Sequence, residues 1–339
     1  MRKLGGCRAA ISVNTGRKTI FTAAGAALVV AVVFPLLVQD PYYIQLGVQI
    51  GFYMVLAVGL NMVAGFCGLL DLGYAAFFAI GAYTTGILMT RLHFSFWLTI
   101  PFAILFAAIA GVVVGGPTLR LRSDYLAIVT LGFGEIVRIT ANNLTITGGA
   151  TGIFGIPPLA LGSLLVTSKT FYYYLMIFLV VLGVAGAYSL RHSRVGRAWH
   201  FIREDEDAAL AMGVNTALFK LYAYITGAVW ASMTGAVYAV SMTAIAPESF
   251  SYSQSVLILI AVILGGLGSI PGVLIGAVLV TVLPEVLRAV SSFRLLVFGI
   301  LMVVFMITRP QGLWPENVRG VFKPRAAADT TLPAGGADD

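Results

Sequence analysis

The chain alternates long apolar runs with short polar interruptions, and the runs recur at the length needed to cross a bilayer. Taking a span as roughly 20 mostly apolar residues, ten candidate helices follow, at about 20–38, 44–64, 70–90, 96–115, 125–141, 171–190, 219–241, 254–268, 272–289 and 294–308. The third, fifth and eighth are short or glycine-rich, so nine is the alternative count. One interruption is unlike the others. Residues 194–215, RVGRAWHFIREDEDAALAMGVN, hold four consecutive acids, Glu204, Asp205, Glu206 and Asp207, in a chain with only 14 acidic residues. Charges are costly in hydrocarbon, so this stretch must face water between two spans.

Its local chemistry predicts short helices lying parallel to the membrane, one of them over 204–213. The acids suit the positive end of a helix, Ala208 to Met212 form a compact body, and Gly213 can close it. Small side chains let a partner approach closely, and an acidic first turn can meet arginines on that partner. A solvated connector between two spans is the plain alternative.

Composition then fixes the class. At 59% hydrophobic residues, mean hydropathy +0.95 and 10% charged residues, the chain is far too apolar for a soluble domain of its length. The expectation is an all-α integral membrane bundle of about ten helices. The net charge of +7 does not point to nucleic acid, because the basic residues are scattered among short loops where they act as topology signals. With the N-terminus in the cytoplasm, sixteen Lys and Arg fall inside and four outside (Arg91, Lys169, Arg288 and Arg294), with Arg138 in a span. Both termini and the loop 191–218 are therefore expected to be cytoplasmic. Residues 1–19 form a basic tail, 20–315 the membrane domain and 316–339 a polar tail of disordered composition. The apolar run Ile20–Val38 is read as a retained span, being too long for a signal-peptide core and followed by no small-x-small site.

Candidate chemistry is sparse. Cys7 and Cys67 make no disulfide framework, and His93, His192 and His200 lack the partners a metal needs. No catalytic cluster is visible, and no GxxxxGK[ST] loop occurs, so the chain is expected to bind no cofactor and to take any nucleotide energy from another chain. An ion-coupled carrier would need acidic residues in mid-membrane, where only Glu135 qualifies.

Polar residues inside the apolar runs are candidates for a substrate path. Glu135 and Arg138 are three apart and can pair on one helix face, either lining a watery path or locking helices together. Thr130, Gly134 and Arg138 share a face at intervals of four. Between the second and third spans, Gly65, Gly68 and Gly73 disfavour continuous helix, and Asn61, Asp71 and Tyr74 lie among them. This is either a broken segment beside a pore or a turn with Asp71 in water. Gly268, Gly272 and Gly276, spaced by four, suit close helix approach in the bundle or at a subunit seam, with Pro271 marking a break. The stretch TGGATGIFGIPP at 147–158 suits tight turns on the outer face.

Several stretches together carry a family resemblance. GRAWHFIREDEDAALAMGVN (196–215) resembles the cytoplasmic loop of permease subunits of ABC importers for branched-chain amino acids. GLNMVAGFCGLLDLGYAAFFAIGAY (59–83), SDYLAIVTLGFGEIVRI (123–139), TGGATGIFGIP (147–157) and ILGGLGSIPGVLIGA (263–277) are similar to segments of the same family in the same order. The second and third of these point to the larger, M-type permease, and the resemblance spans 44 to about 315. It implies the ten-helix fold type of vitamin B12 importers, in a bacterial inner membrane. It also implies an H-type permease partner, two cytoplasmic ABC ATPases that use the ATP, and a periplasmic or lipid-anchored binding protein. The loop would then be the ATPase-coupling element, with Arg197, Arg203, Glu204, Asp205 and Glu206 making contacts and Ala209, Met212 and Gly213 permitting seating. Leucine, isoleucine and valine are the implied substrates, with urea or short amides as the alternative carried by related permeases.

Overall fold

The computed structural model describes residues 25, 29–38, 40–118, 123–161, 164–166, 168–287, 294–309 and 311–314. Both expected tails, with Cys7, Arg120, Arg122 and Arg288, lie outside the described residues.

Each of the ten expected spans overlaps a helix. These are α1 (29–37), α2 (Pro41–Leu60), α3 (Tyr74–Arg91), α4 (Phe96–Thr118), α5 (Ser123–Asn143), α6 (Lys169–His192), α9 (Thr216–Met242), α10 (Tyr252–Gly265), α11 (Ile270–Val286) and α12 (Arg294–Thr308). Two short helices, α7 (Arg194–Glu204) and α8 (Glu206–Ala211), occupy the charged stretch. Among the described residues, five helical stretches are long and apolar enough to cross a bilayer, namely Pro41–Phe66, Phe96–Gly116, Lys169–His192, Thr216–Met242 and Pro247–Gly265. The molecule is an all-α class, multi-pass membrane bundle, with only two small strand pairs among its described residues.

The helices form because hydrocarbon offers no partner to a backbone N–H or C=O, so an apolar chain must satisfy its own. Outer faces remain apolar. Trp97, Leu98, Phe102, Leu105 and Phe106 of α4 are exposed, as are Ile300, Val303, Val304 and Ile307 of α12, and lipid is the medium such faces suit. At the centre, α3 lies along α9 and α4, and the Ser232 hydroxyl on α9 donates to the Ala103 carbonyl on α4 at 2.7 Å.

Short loops sort onto two ends. At one end Arg203 reaches the Gly65 carbonyl, Arg191 reaches the Gly268 carbonyl, and the N–H groups of Leu313 and Trp314 cap the Leu264 and Gly265 carbonyls that end α10. At the other end, β1 (Ile153–Phe154) pairs antiparallel with β4 (Ala244–Ile245), so the 147–158 stretch clasps the α9–α10 connection. There Gly148, Gly152 and Gly155 adopt positive φ, as the tight turns expected of that stretch require. A small hairpin, β2 (Leu159–Leu161) with β3 (Leu164–Val166), completes this end.

The predicted face of Gly268, Gly272 and Gly276 needs correction. Gly268 sits in the turn before α11, with φ +86°, because Pro271 starts a new helix after it. Gly272 and Gly276 do lie on α11, where a Cβ would stand 2.2 Å from the Gly265 carbonyl oxygen and 2.0 Å from that of Ala261. They seat α11 on α10 within this chain, backbone against backbone.

Candidate functional site

The charged stretch folds as two short helices, α7 and α8. Ser193 caps α7 by accepting from the Gly196 N–H at 3.2 Å, and α7 buries Ala198, Trp199 and Ile202 on one face. The Trp199 indole donates to the Phe219 carbonyl at 2.7 Å, which fixes α7 across the start of α9. The expected helix at 204–213 therefore begins two residues later, at Glu206. Asp205 leaves the helical path, at φ −157° and ψ 111°, and its carboxylate accepts from the N–H groups of Asp207 and Ala208, each at 3.0 Å. Glu206 and Asp207 occupy the first turn of α8, where the helix dipole favours negative charge. Gly213 closes α8 at φ +83°. Its N–H bonds the Leu210 carbonyl, and that of Val214 reaches back to Ala209.

The expected contact residues divide into two groups. Glu204, Asp205, Asp207, Leu210 and Met212 face outward with Phe201, and Met212 is 74% exposed. Arg197 is also exposed and donates to the His192 carbonyl at 3.2 Å. Ala209 faces inward, only 2% exposed, and packs against its own chain. Arg203 is exposed along part of its length but places its guanidinium on the Gly65 carbonyl. Glu206 pairs with Lys220, whose side chain is 4% exposed against 41% for Glu206. Sequence reasoning missed Lys220. Its signal is a lysine opening an otherwise uncharged apolar span, fourteen residues after Glu206.

The glycine-rich junction of the second and third spans is a buried break. After Leu60 the helix widens into a π turn, Asn61–Phe66, and the chain then runs without helix to Tyr74. The start of α3 lies at the level of Gly227, whose carbonyl accepts from the Tyr74 hydroxyl at 3.0 Å. Gly227 is eleven residues (227 − 216) into α9, so this contact lies roughly 16 Å along α9 from its start. Asp71 is 0% exposed, which overturns the reading of a turn with Asp71 in water.

A buried non-helical backbone needs partners, and the polar residues supply them. The Asp71 carboxylate accepts from the Gly73 N–H at 2.8 Å, Thr130 on α5 from Leu72 at 3.1 Å, and Ser255 on α10 from Ala75 at 2.9 Å. Asn61 accepts from the Gly268 N–H at 2.9 Å and so holds the α10–α11 turn. Gly73 packs so tightly on α5 that a Cβ would lie 1.9 Å from the Thr130 carbonyl oxygen, and Gly134 completes the seam. Asn61, Asp71, Tyr74 and Thr130 are all buried in this packing. In this structure none of these four expected path residues faces an open channel: Asp71 and Thr130 hold the break's backbone, while Asn61 and Tyr74 bond to the α10–α11 turn and to α9. Ser255, the third partner, gave no sequence signal beyond being a hydroxyl in an apolar run.

Toward the other end of α5, the expected pair forms, with Arg138 and Glu135 at 2.8 Å. Arg138 also meets Glu248, at 3.1 Å, which sits on the 3-10 turn Pro247–Phe250. The pair is half-exposed and ties α5 to the α9–α10 connection. Phe250 on that turn is buried, with its ring 5.1 Å from Phe78 and 5.7 Å from Tyr83. Among the described residues no group of three His, Cys, Asp or Glu is placed to hold a metal ion. Cys67 is a free cysteine buried in this packing.

Comparison with known proteins adds identity to this geometry. The chain is 40% identical over 330 residues to the high-affinity branched-chain amino acid transport system permease protein LivM of Salmonella typhimurium, covering 90% of this chain and 77% of that one. It is likewise 40% identical to LivM of Escherichia coli K12 over 332 residues, with the same coverage. The permease protein LivH of Salmonella typhimurium is more distant, at 24% identity over 300 residues, 81% of this chain and 96% of that one. No solved structure matches significantly. The model of the family described as branched-chain amino acid transport system / permease component matches residues 42–306, which spans the bundle from α2 into α12, and the chain belongs to that family.

Proposed function

We propose that this chain is the larger permease subunit of an ATP-driven importer for leucine, isoleucine and valine, working in a bacterial inner membrane with both termini in the cytoplasm. The observation that carries the reading is the 40% identity to LivM over 90% of the chain. The more distant likeness to LivH supports a second, homologous permease as its partner. A periplasmic or lipid-anchored binding protein delivers the substrate. Two cytoplasmic ATPases supply the energy and act on this subunit from outside it.

The outward face of α7 and α8 is the surface such ATPases would grip. It presents Phe201, Leu210 and Met212 beside Glu204, Asp205 and Asp207. Apolar anchors bordered by charge suit a protein partner whose cleft carries arginines. Capped at both ends and fixed by Trp199 and Lys220, the two helices are stiff enough to transmit a push.

The test is uptake by the complete complex in proteoliposomes, offered labelled leucine, isoleucine, valine and urea. ATP-dependent uptake of the three amino acids is expected. Uptake of urea alone would overturn the substrate, and uptake without the ATPase subunits would overturn the energy source.

A further inference from the structure

The charged loop is tied to the bundle at two points of different character. Glu206 on α8 holds Lys220, at the start of the continuous helix α9. Arg203 on α7 holds the Gly65 carbonyl, inside the π turn that begins the buried break. Between the two ties lies the extended residue Asp205.

The π turn is a crossing point. Leaving the helix after Phe66 strips its last carbonyls of helical partners, and Arg203 takes one of them. Gly68, at φ +77°, makes this possible, because a Cβ there would lie 3.2 Å from the Arg203 Cγ. Asn61, in the same turn, accepts from Gly268 at the α10–α11 turn, and Arg191 at the end of α6 donates to the Gly268 carbonyl at 3.4 Å. Beyond Cys67 the chain continues through Leu72, Gly73 and Ala75, held by Asp71 and by Thr130 and Ser255 of α5 and α10. Hydrogen bonds thus tie α7 to the π turn, and the backbone that follows that turn is in its own right tied to α5 and α10.

We propose that the Asn61–Phe66 turn is where movement of the α7–α8 loop enters the bundle, with Arg203 as the positioning residue that carries it. A tie to α9 can only drag a whole helix. A tie to Gly65 moves the end of the π turn where the chain leaves helix, and so displaces the non-helical stretch 67–73 that follows and re-seats α3 against α5 and α10. The inference rests on the proposal that ATPases grip α7 and α8.

The experiment compares the complete complex carrying R203A, R203Q or R203K with the parent and with M212S on the outward face. Assembly, basal ATP hydrolysis, stimulation by the loaded binding protein and substrate taken up per ATP are measured. R203A is expected to assemble, with uptake per ATP hydrolysed falling about tenfold. R203Q and R203K, which keep a hydrogen-bond donor, are expected to fall between. An unchanged uptake-to-ATP ratio in R203A overturns the proposal, and so does failure of all three Arg203 variants to assemble, which would mark the contact as structural. If M212S also retains normal ATPase association and coupling, the ATPase-docking reading itself fails. If M212S loses them while R203A stays coupled, only the route through the π turn is refuted.

Discussion

The charged loop and the buried break hold polar residues for opposite purposes. In the loop, Glu204 and Asp207 point outward while the backbone satisfies itself as helix. In the break, Asp71, Thr130 and Ser255 point into the bundle, because the backbone there has given up helix and needs them. A polar side chain in a membrane chain is therefore not by itself a sign of a substrate path. Where the backbone breaks at depth, the first demand on nearby polar groups is to replace its lost hydrogen bonds.

Substitutions can break or sharpen that contrast. The largest loss of stability is expected at the loop's own buried tie. Glu206→Gln strands the Lys220 ammonium, 4% exposed, without its counter-charge, at a cost of about 3 kcal/mol. Lys220→Met leaves a carboxylate that is 41% exposed and can rehydrate, so it should be milder. Unfolding of the two variants in detergent gives that order, and the reverse order would mean the pair is not buried as described. Next comes Asp71→Ala, which leaves the buried Gly73 N–H unpaired and should cost about 2 kcal/mol. Asp71→Asn keeps an acceptor and should recover most of it in the same assay. Glu248→Gln removes one half-exposed contact of Arg138 and should change stability by less than about 1 kcal/mol, an effect that shrinks further at high salt. Smallest is Met212→Ser, within about 0.5 kcal/mol of the parent, yet this is the variant expected to lose ATPase capture in a pull-down. A stability loss at Met212 matching that at Asp71 would erase the distinction between the regions.

The order of helices was legible because run length reports what hydrocarbon demands of a backbone. The ends of α8 were nearly legible, since capping is local. Four acids in a row offer four possible caps, and the choice of Asp205 depends on Trp199 and Ile202 extending α7 as far as Glu204. The inward turn of Ala209 follows from the seating of α8 on α9, which no local pattern records. The role of the break's polar residues was not legible for a similar reason. Thr130 serves Leu72 across 58 residues of sequence and Ser255 serves Ala75 across 180. Only Asp71, two residues from Gly73, could have been matched with its partner locally.

The central claim is that α8 turns one face to a partner ATPase and the other to its own chain. Cysteine cross-linking of the assembled complex tests it directly, with Met212→Cys and Ala209→Cys made separately in a background where Cys7 and Cys67 are serine. The account predicts a cross-link to the ATPase subunit from position 212, 74% exposed, and none from position 209, 2% exposed. A cross-link from 209 and not from 212 would contradict it.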